Sequence, residues 1–120
     1  MSQIIFNKIS AAEISALPTA EQLELLAEFK VTPADLNEPD EERFGHIQRE
    51  GTTLYRFRCR DLRIYFEMEA DGVVVHRVLH KNTFQDFRYR SGMKVSEDEA
   101  LSGTKEFWEL IEEGERAARV

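Results

Sequence analysis

With Cys59 as its single cysteine, the chain can form no intrachain disulfide, and a thiol flanked by Phe57 on the same strand face reads as packing rather than chemistry. Histidine is scarce too. Three histidines and one cysteine at no recognised ligand spacing argue against a structural zinc site, and no metal or other cofactor is expected. No apolar run approaches the roughly 18 residues of a membrane-spanning helix. The opening Met-Ser-Gln-Ile-Ile-Phe has neither the charged nor the apolar region of a secretory signal. The expectation is a soluble cytoplasmic protein with no membrane partner. Repeats and low-complexity tracts are absent, and 120 residues with 42% hydrophobic content suffice for one domain with its own core.

The net charge of −7 is unevenly laid out. Residues 1–42 carry two lysines against nine acids, residues 43–94 eleven basic residues against six acids, and residues 95–120 three against eight. A basic middle between acidic flanks steers polyanions poorly at long range but allows a local basic surface. The densest part is Tyr55-Arg-Phe-Arg-Cys-Arg-Asp-Leu-Arg-Ile-Tyr-Phe66. In a strand, Tyr55, Phe57 and Cys59 would face one way and Arg56, Arg58 and Arg60 the other, with successive guanidinium stems about 6.6 Å apart. The functional expectation is a polyanion partner. The plainer alternative is a solvated face whose arginines pair with Asp61, Glu67 or Glu69 across strands.

The element order follows from periodicity. Ile4, Ile5 and Phe6 suit a short strand. Ser10 with Glu13 reads as a capping box, stapled by Ile9 and Ile14, and predicts a helix from residue 11 to near Pro18. Thr19 with Gln22 repeats the signal, and Leu23, Leu26 and Phe29 carry a second helix through Lys30. Pro33 opens one further turn. From Phe44 the period is two. Strands are expected on either side of Gly51, after the turn at Arg60-Asp61-Leu62, and after Asp71-Gly72, where Val73 to Lys81 is the most β-prone segment and is expected to be central. Val74, His76, Val78 and His80 would share one face of it. Ser96 caps a short helix, Ser102-Gly103-Thr104 interrupts it, and a last helix runs from Lys105, where Phe107, Trp108, Leu110 and Ile111 read most simply as its docking stripe, against an exposed partner-binding helix. The result is an α+β fold with helices on one sheet face and the arginine face uncovered.

The motifs Tyr55-Arg56-Phe57-Arg58, Asp61-Leu62-Arg63-Ile64-Tyr65-Phe66, Val73 to Val78 and His80-Lys81, in this order, resemble the RelE/ParE superfamily of toxin-antitoxin toxins over residues 3–90. The resemblance implies an N-terminal strand, a helical hairpin and a curved antiparallel β-meander for residues 1–94. Residues 95–120 would then be an acidic helical extension packed on or beside that domain. It further implies an mRNA interferase, an endoribonuclease that cleaves RNA by 2′-hydroxyl attack and represses translation, with mRNA on the ribosome as substrate and an antitoxin protein as partner. Such chemistry needs cations on the phosphate, a base and an acid. The resemblance assigns catalysis to Arg63 and Lys81, and to His80 from branches that use a histidine near this end of the sheet, with Tyr89 as a nearby candidate; it assigns substrate binding to Arg56 and Arg58, with Arg60 beside them in the row.

Three departures point to an alternative. Arginines stand where several active relatives have lysines, and arginine is a poor base. Phe87 stands where one branch has a catalytic tyrosine, leaving Tyr89 and Tyr65 nearby. His80, on a strand face with Val74, His76 and Val78, reads more simply as a hydrogen-bonded packing residue. The alternative is a non-catalytic RelE/ParE-like binding module with a protein or nucleic-acid partner. A third expectation is that the acidic tail, through Glu106, Glu109, Glu112, Glu113 and Glu115, covers the arginine face, against which stands a simple solvated helix face.

Overall fold

The period-two segments form an antiparallel meander of β2 (Phe44–Arg49), β3 (Thr52–Cys59), β4 (Leu62–Glu69) and β5 (Gly72–His80). The computed structural model describes residues 3–37, 40, 42–84 and 96–120. A short β1 (Gln3–Phe6) pairs parallel to β5, giving a mixed sheet of order β1-β5-β4-β3-β2. The β-prone β5 is therefore interior, with β4 in the middle. Glu50 and Gly51 both have positive φ (51° and 82°) and close the first hairpin as a two-residue turn whose twist matches its strands. Gly72 is required for another reason. Its φ is 139°, and a Cβ there would collide with the Gln3 carbonyl oxygen, so glycine is what lets β1 pair at this point.

Five helices are present among the described residues: α1 (Lys8–Ser15), α2 (Thr19–Glu28), α3 (Pro33–Asn37), α4 (Glu97–Ser102) and α5 (Lys105–Arg116), with a single 3₁₀ turn at Lys81–Phe84. The first helix starts three residues earlier than Ser10 and Glu13 predict. Asn7 is its cap and Ser10 its third residue, while Glu13 reaches away to accept hydrogen bonds from Arg77 Nε (3.2 Å) and the Val78 amide (3.0 Å). For α2, Thr19 is inside the helix, Pro18 precedes it without a side-chain cap, and Phe29 ends it. Gln22 Nε2 instead donates to the carbonyls of Leu17 (2.7 Å) and Ser15 (3.2 Å), tying α2 to the end of α1.

The expected uncovered face does not exist. One face of the sheet carries Phe44, Phe57, Ile64, Phe66, Val73, Val75 and Val78, packed with Ile14, Leu25 and Phe29 of the N-terminal helices. The other carries Ile47, Leu54, Tyr65 and Leu79, covered by Leu101, Phe107 and Ile111 of α4 and α5. An apolar stripe on the second face could not stay wet, and the tail supplies its cover.

The tail is held by one buried side chain. Asn7, 3% exposed, donates from Nδ2 to the carbonyls of Val75 (3.2 Å), His76 (3.0 Å) and Gly114 (2.9 Å), and its Oδ1 accepts from the Ser10 amide (2.7 Å). Gly114 permits this closeness, because a Cβ there would strike the His76 carbonyl. Beyond α5 the chain returns to β1, Lys8 donating to the Ala118 carbonyl (2.8 Å) and Val120 to that of Phe6 (3.0 Å). Asn7→Ala leaves several buried groups without partners and is expected to cost about 2 to 4 kcal/mol; urea denaturation of the two proteins measures it, and a loss comparable to an exposed substitution would contradict the assignment.

Candidate functional site

Arg56 lies opposite Gly45 of β2 and Tyr65 of β4, and Arg58 lies opposite Arg63. Three guanidinium groups thus share the middle of one sheet face, where like charges repel unless countered. The counter-charges come from α4. Ser96 caps that helix by accepting the Glu99 amide (3.1 Å), and the first turn holds Glu97, Asp98 and Glu99, placed where the helix dipole favours acids.

Arg56 is 1% exposed, with Nε 3.2 Å from Asp98 Oδ1. Arg63, 6% exposed, directs Nε at both oxygens of Glu97 (3.2 Å each) while Nη1 donates to the carbonyls of Arg60 (2.8 Å) and Leu62 (3.0 Å). Arg58 remains half-buried, its Nη2 3.6 Å from Glu97 Oε2. Gly45 makes room: a Cβ there would clash with both the Arg56 guanidinium and the Asp98 carboxylate. Burial pushes Asp98 up from the ordinary carboxylate value and Arg56 down from the ordinary guanidinium value, each opposed by the other's charge. A cleft of about 560 Å³ opens beside the pair, lined by Arg56, Arg58, Gly45, His46, Glu97, Asp98 and Glu99 among others.

The other sequence-predicted residues do not join Arg56, Arg58 and Arg63. Arg60 leaves the row: it sits in the β3–β4 turn with φ 54° and pairs with Glu24 of α2 on the opposite face. Arg63 and Leu79 are register partners, as are Leu62 and His80, so Arg63 and His80 point to opposite faces. His80 is exposed, accepts the Asn82 amide at Nδ1 (3.1 Å), and borders a pocket with Leu17, Leu25 and Cys59. Lys81 pairs with Asp61 at 3.0 Å. Tyr89 and Phe87 lie outside the described residues. Tyr65 is 1% exposed, and burial raises its hydroxyl far above the ordinary value, so it stays protonated at neutral pH. Cys59 is buried, its thiol donates to Glu28 Oε2 (3.0 Å), and burial with that bond pushes it up to about 11, so it is protonated at neutral pH.

The cross-strand neutralisation by Asp61, Glu67 and Glu69 is also replaced. Asp61 is with Lys81, Glu69 accepts from Arg119 (2.9 Å), and Glu67 lies beside His76. Of the tail acids expected over the arginine row, Glu112 pairs with Arg49 (2.8 Å) and Glu113 with Arg77 (3.4 Å); the groups on Arg56, Arg58 and Arg63 are Glu97 and Asp98. The only sequence signal for these two was the acidic first turn after Ser96. His76 does not share a face with Val78 and His80, because a bulge at Tyr65/Phe66 leaves it as the extra residue of β5. Glu67, His76 and Glu115 bring ligand atoms within 4.8 Å of one another, although no sequence spacing links them.

Compared with known proteins, the chain matches no family model, no curated protein and no solved structure. Chemically, the arginine cluster is a group of cations countered by the protein's own carboxylates, Glu97 and Asp98. Removing one partner leaves a buried charge, whereas removing both does not. Asp98→Ala is therefore expected to cost about 2 to 4 kcal/mol, and adding Arg56→Met to restore a substantial part of it. Equal or greater loss in the double variant, measured by denaturant unfolding, would show that the pair itself carries no coupling.

Proposed function

We propose that the protein is a non-catalytic, RelE/ParE-like binding module rather than a ribonuclease. One observation carries this reading: the phosphate-binding candidates and the described proton-transfer candidates sit apart. Arg56, Arg58 and Arg63 face α4 and its acids, while His80 faces the other side of the sheet and Lys81 is engaged by Asp61. A base must come within hydrogen-bond reach of the proton it takes, and a strand side chain cannot cross its own sheet. A protein partner is favoured over nucleic acid because the arginines are committed, whereas α2 exposes Leu23 (66%) and Leu26 (43%) one helical turn apart. The partner's class under this reading is the antitoxin type, a small protein laid on the helical hairpin.

Adding the purified protein to translating ribosomes and mapping mRNA 5′ ends tests the proposal. No new ends are expected; new ends that vanish in Arg58→Ala, a half-exposed position that folding tolerates, would overturn it.

The grip on Glu97 favours a second reading, an mRNA interferase held shut. Arg63 already meets a carboxylate as it would meet phosphate, with Arg58 and Arg56 alongside. If RNA displaces α4, then Glu97→Gln with Asp98→Asn should strengthen RNA binding by roughly tenfold or more at low salt and produce new ends. Tighter binding without new ends supports the binding module; unchanged binding removes the held-shut reading.

A further inference from the structure

The second group of titratable residues on the tail-covered face is independent of the arginine cluster. Its anchor is His76, placed by the β-bulge. Register runs Tyr65 to Arg77 and then Phe66 to Val75, so His76 has no partner on β4 and turns with Arg77 toward the C-terminal helices. Its backbone is fixed twice. Asn7 donates to its carbonyl at 3.0 Å, and Gly114 lets α5 pass against the same carbonyl, which places the next residue, Glu115, beside the imidazole. Glu67 arrives from β4, on the same face as Tyr65 two residues earlier.

His76 is 5% exposed, and its buried Nε2 has no hydrogen-bond partner among the described residues. Glu67 Oε2 is 3.6 Å away, beyond a hydrogen bond. Buried nitrogens are rarely left this way, and here the nitrogen lies 3.6 Å from the Glu67 carboxylate in a group whose third member is Glu115.

We propose that Glu67, His76 and Glu115 form a binding site for one divalent first-row transition-metal ion, with Zn²⁺ as the ion of choice. One imidazole with two carboxylates is a mixed nitrogen and oxygen set, which suits Zn²⁺ and its neighbours. Magnesium and calcium prefer all-oxygen cages, and Cu⁺ prefers sulfur. Around a tetrahedral Zn²⁺ at about 2.1 Å, ligand atoms are about 3.4 Å apart, so the set must contract from its present spread of up to 4.8 Å. The fixed imidazole serves as the anchor, and the two flexible glutamate stems, both partly open to solvent, close on the ion. Approach is through a cleft of about 340 Å³ lined by Glu67, Glu115, Arg49, Thr52 and Trp108 among others. Three protein ligands leave a fourth position for water on that side.

Equilibrium dialysis of the full chain against Zn²⁺, with Co²⁺ absorption as a report on coordination geometry, tests the site. One ion per chain is expected at micromolar free metal, with a tetrahedral Co²⁺ spectrum and a raised melting temperature. Glu115→Gln, at a solvent-facing helix position that does not endanger folding, should weaken binding about tenfold or more while leaving the metal-free melting temperature unchanged. His76→Ala should abolish binding, and His46→Gln with His80→Gln should leave it intact. Absence of binding to the wild type, binding unchanged in Glu115→Gln, or loss of binding in the His46 and His80 variant would each overturn the assignment.

Discussion

Asn7 uses one amide group to hold three chain segments that are far apart in sequence. Its nitrogen meets carbonyls of β5 and of α5, its oxygen caps α1, and Ser10 Oγ completes the knot by donating to Val75 (3.2 Å). A buried amide with every group partnered has essentially one geometry, so it specifies where the last helix crosses the sheet. That crossing decides the rest. It covers the second apolar face, brings Glu113 to Arg77, and sets Glu115 over the bulge at His76. The C-terminal residues add backbone bonds to the first strand and helix, so the two ends of the chain secure each other.

Once α5 is placed, α4 must lie over the arginines, and the physics of that contact differs from the physics under α5. Beneath α5 are Phe107 and Ile111, both 0% exposed, with Tyr65 edge-on to Phe107 at 5.0 Å. This is ordinary apolar burial, reinforced by Arg49 stacked 4.7 Å over Trp108. Beneath α4 the burial is mostly of charge. Taking a guanidinium and a carboxylate out of water costs several kcal/mol per ion, and mutual attraction returns that only when the geometry is good. Such a contact adds little net stability over an apolar one.

Much of the architecture was legible in the sequence because the relevant signals are local. The strand segments between Phe44 and His80, the turns at Gly51 and Arg60-Asp61, and the Ser96 cap each depend on a few neighbouring residues, and each was found where expected. What was not legible depends on partners distant in sequence. Ser10 with Glu13 satisfies the capping pattern, but Asn7 wins the cap because its amide also bonds β5 and α5, while Glu13 has a stronger offer from Arg77. The bulge at His76 has no local signature, and one extra residue is enough to move a histidine to the other face. The placement of the arginines was legible only in part for the same reason. Arg56, Arg58 and Arg63 do sit together, but Arg60 is taken by Glu24, and the acids that answer the cluster come from a segment joined to it only by tertiary structure.

The contrast between the two tail helices also settles which of them could yield. α5 is fixed by the apolar cluster, by Gly114 on Asn7, and by Arg77, which donates to the Leu110 carbonyl (3.0 Å). α4 buries only Ala100 and Leu101, and its remaining hold on the sheet is electrostatic. Electrostatic attachment can be exchanged for a competing anion at small net cost, whereas apolar attachment has no such substitute. Within the acidic tail, α4 is thus held to the sheet mainly by charge and α5 mainly by apolar burial.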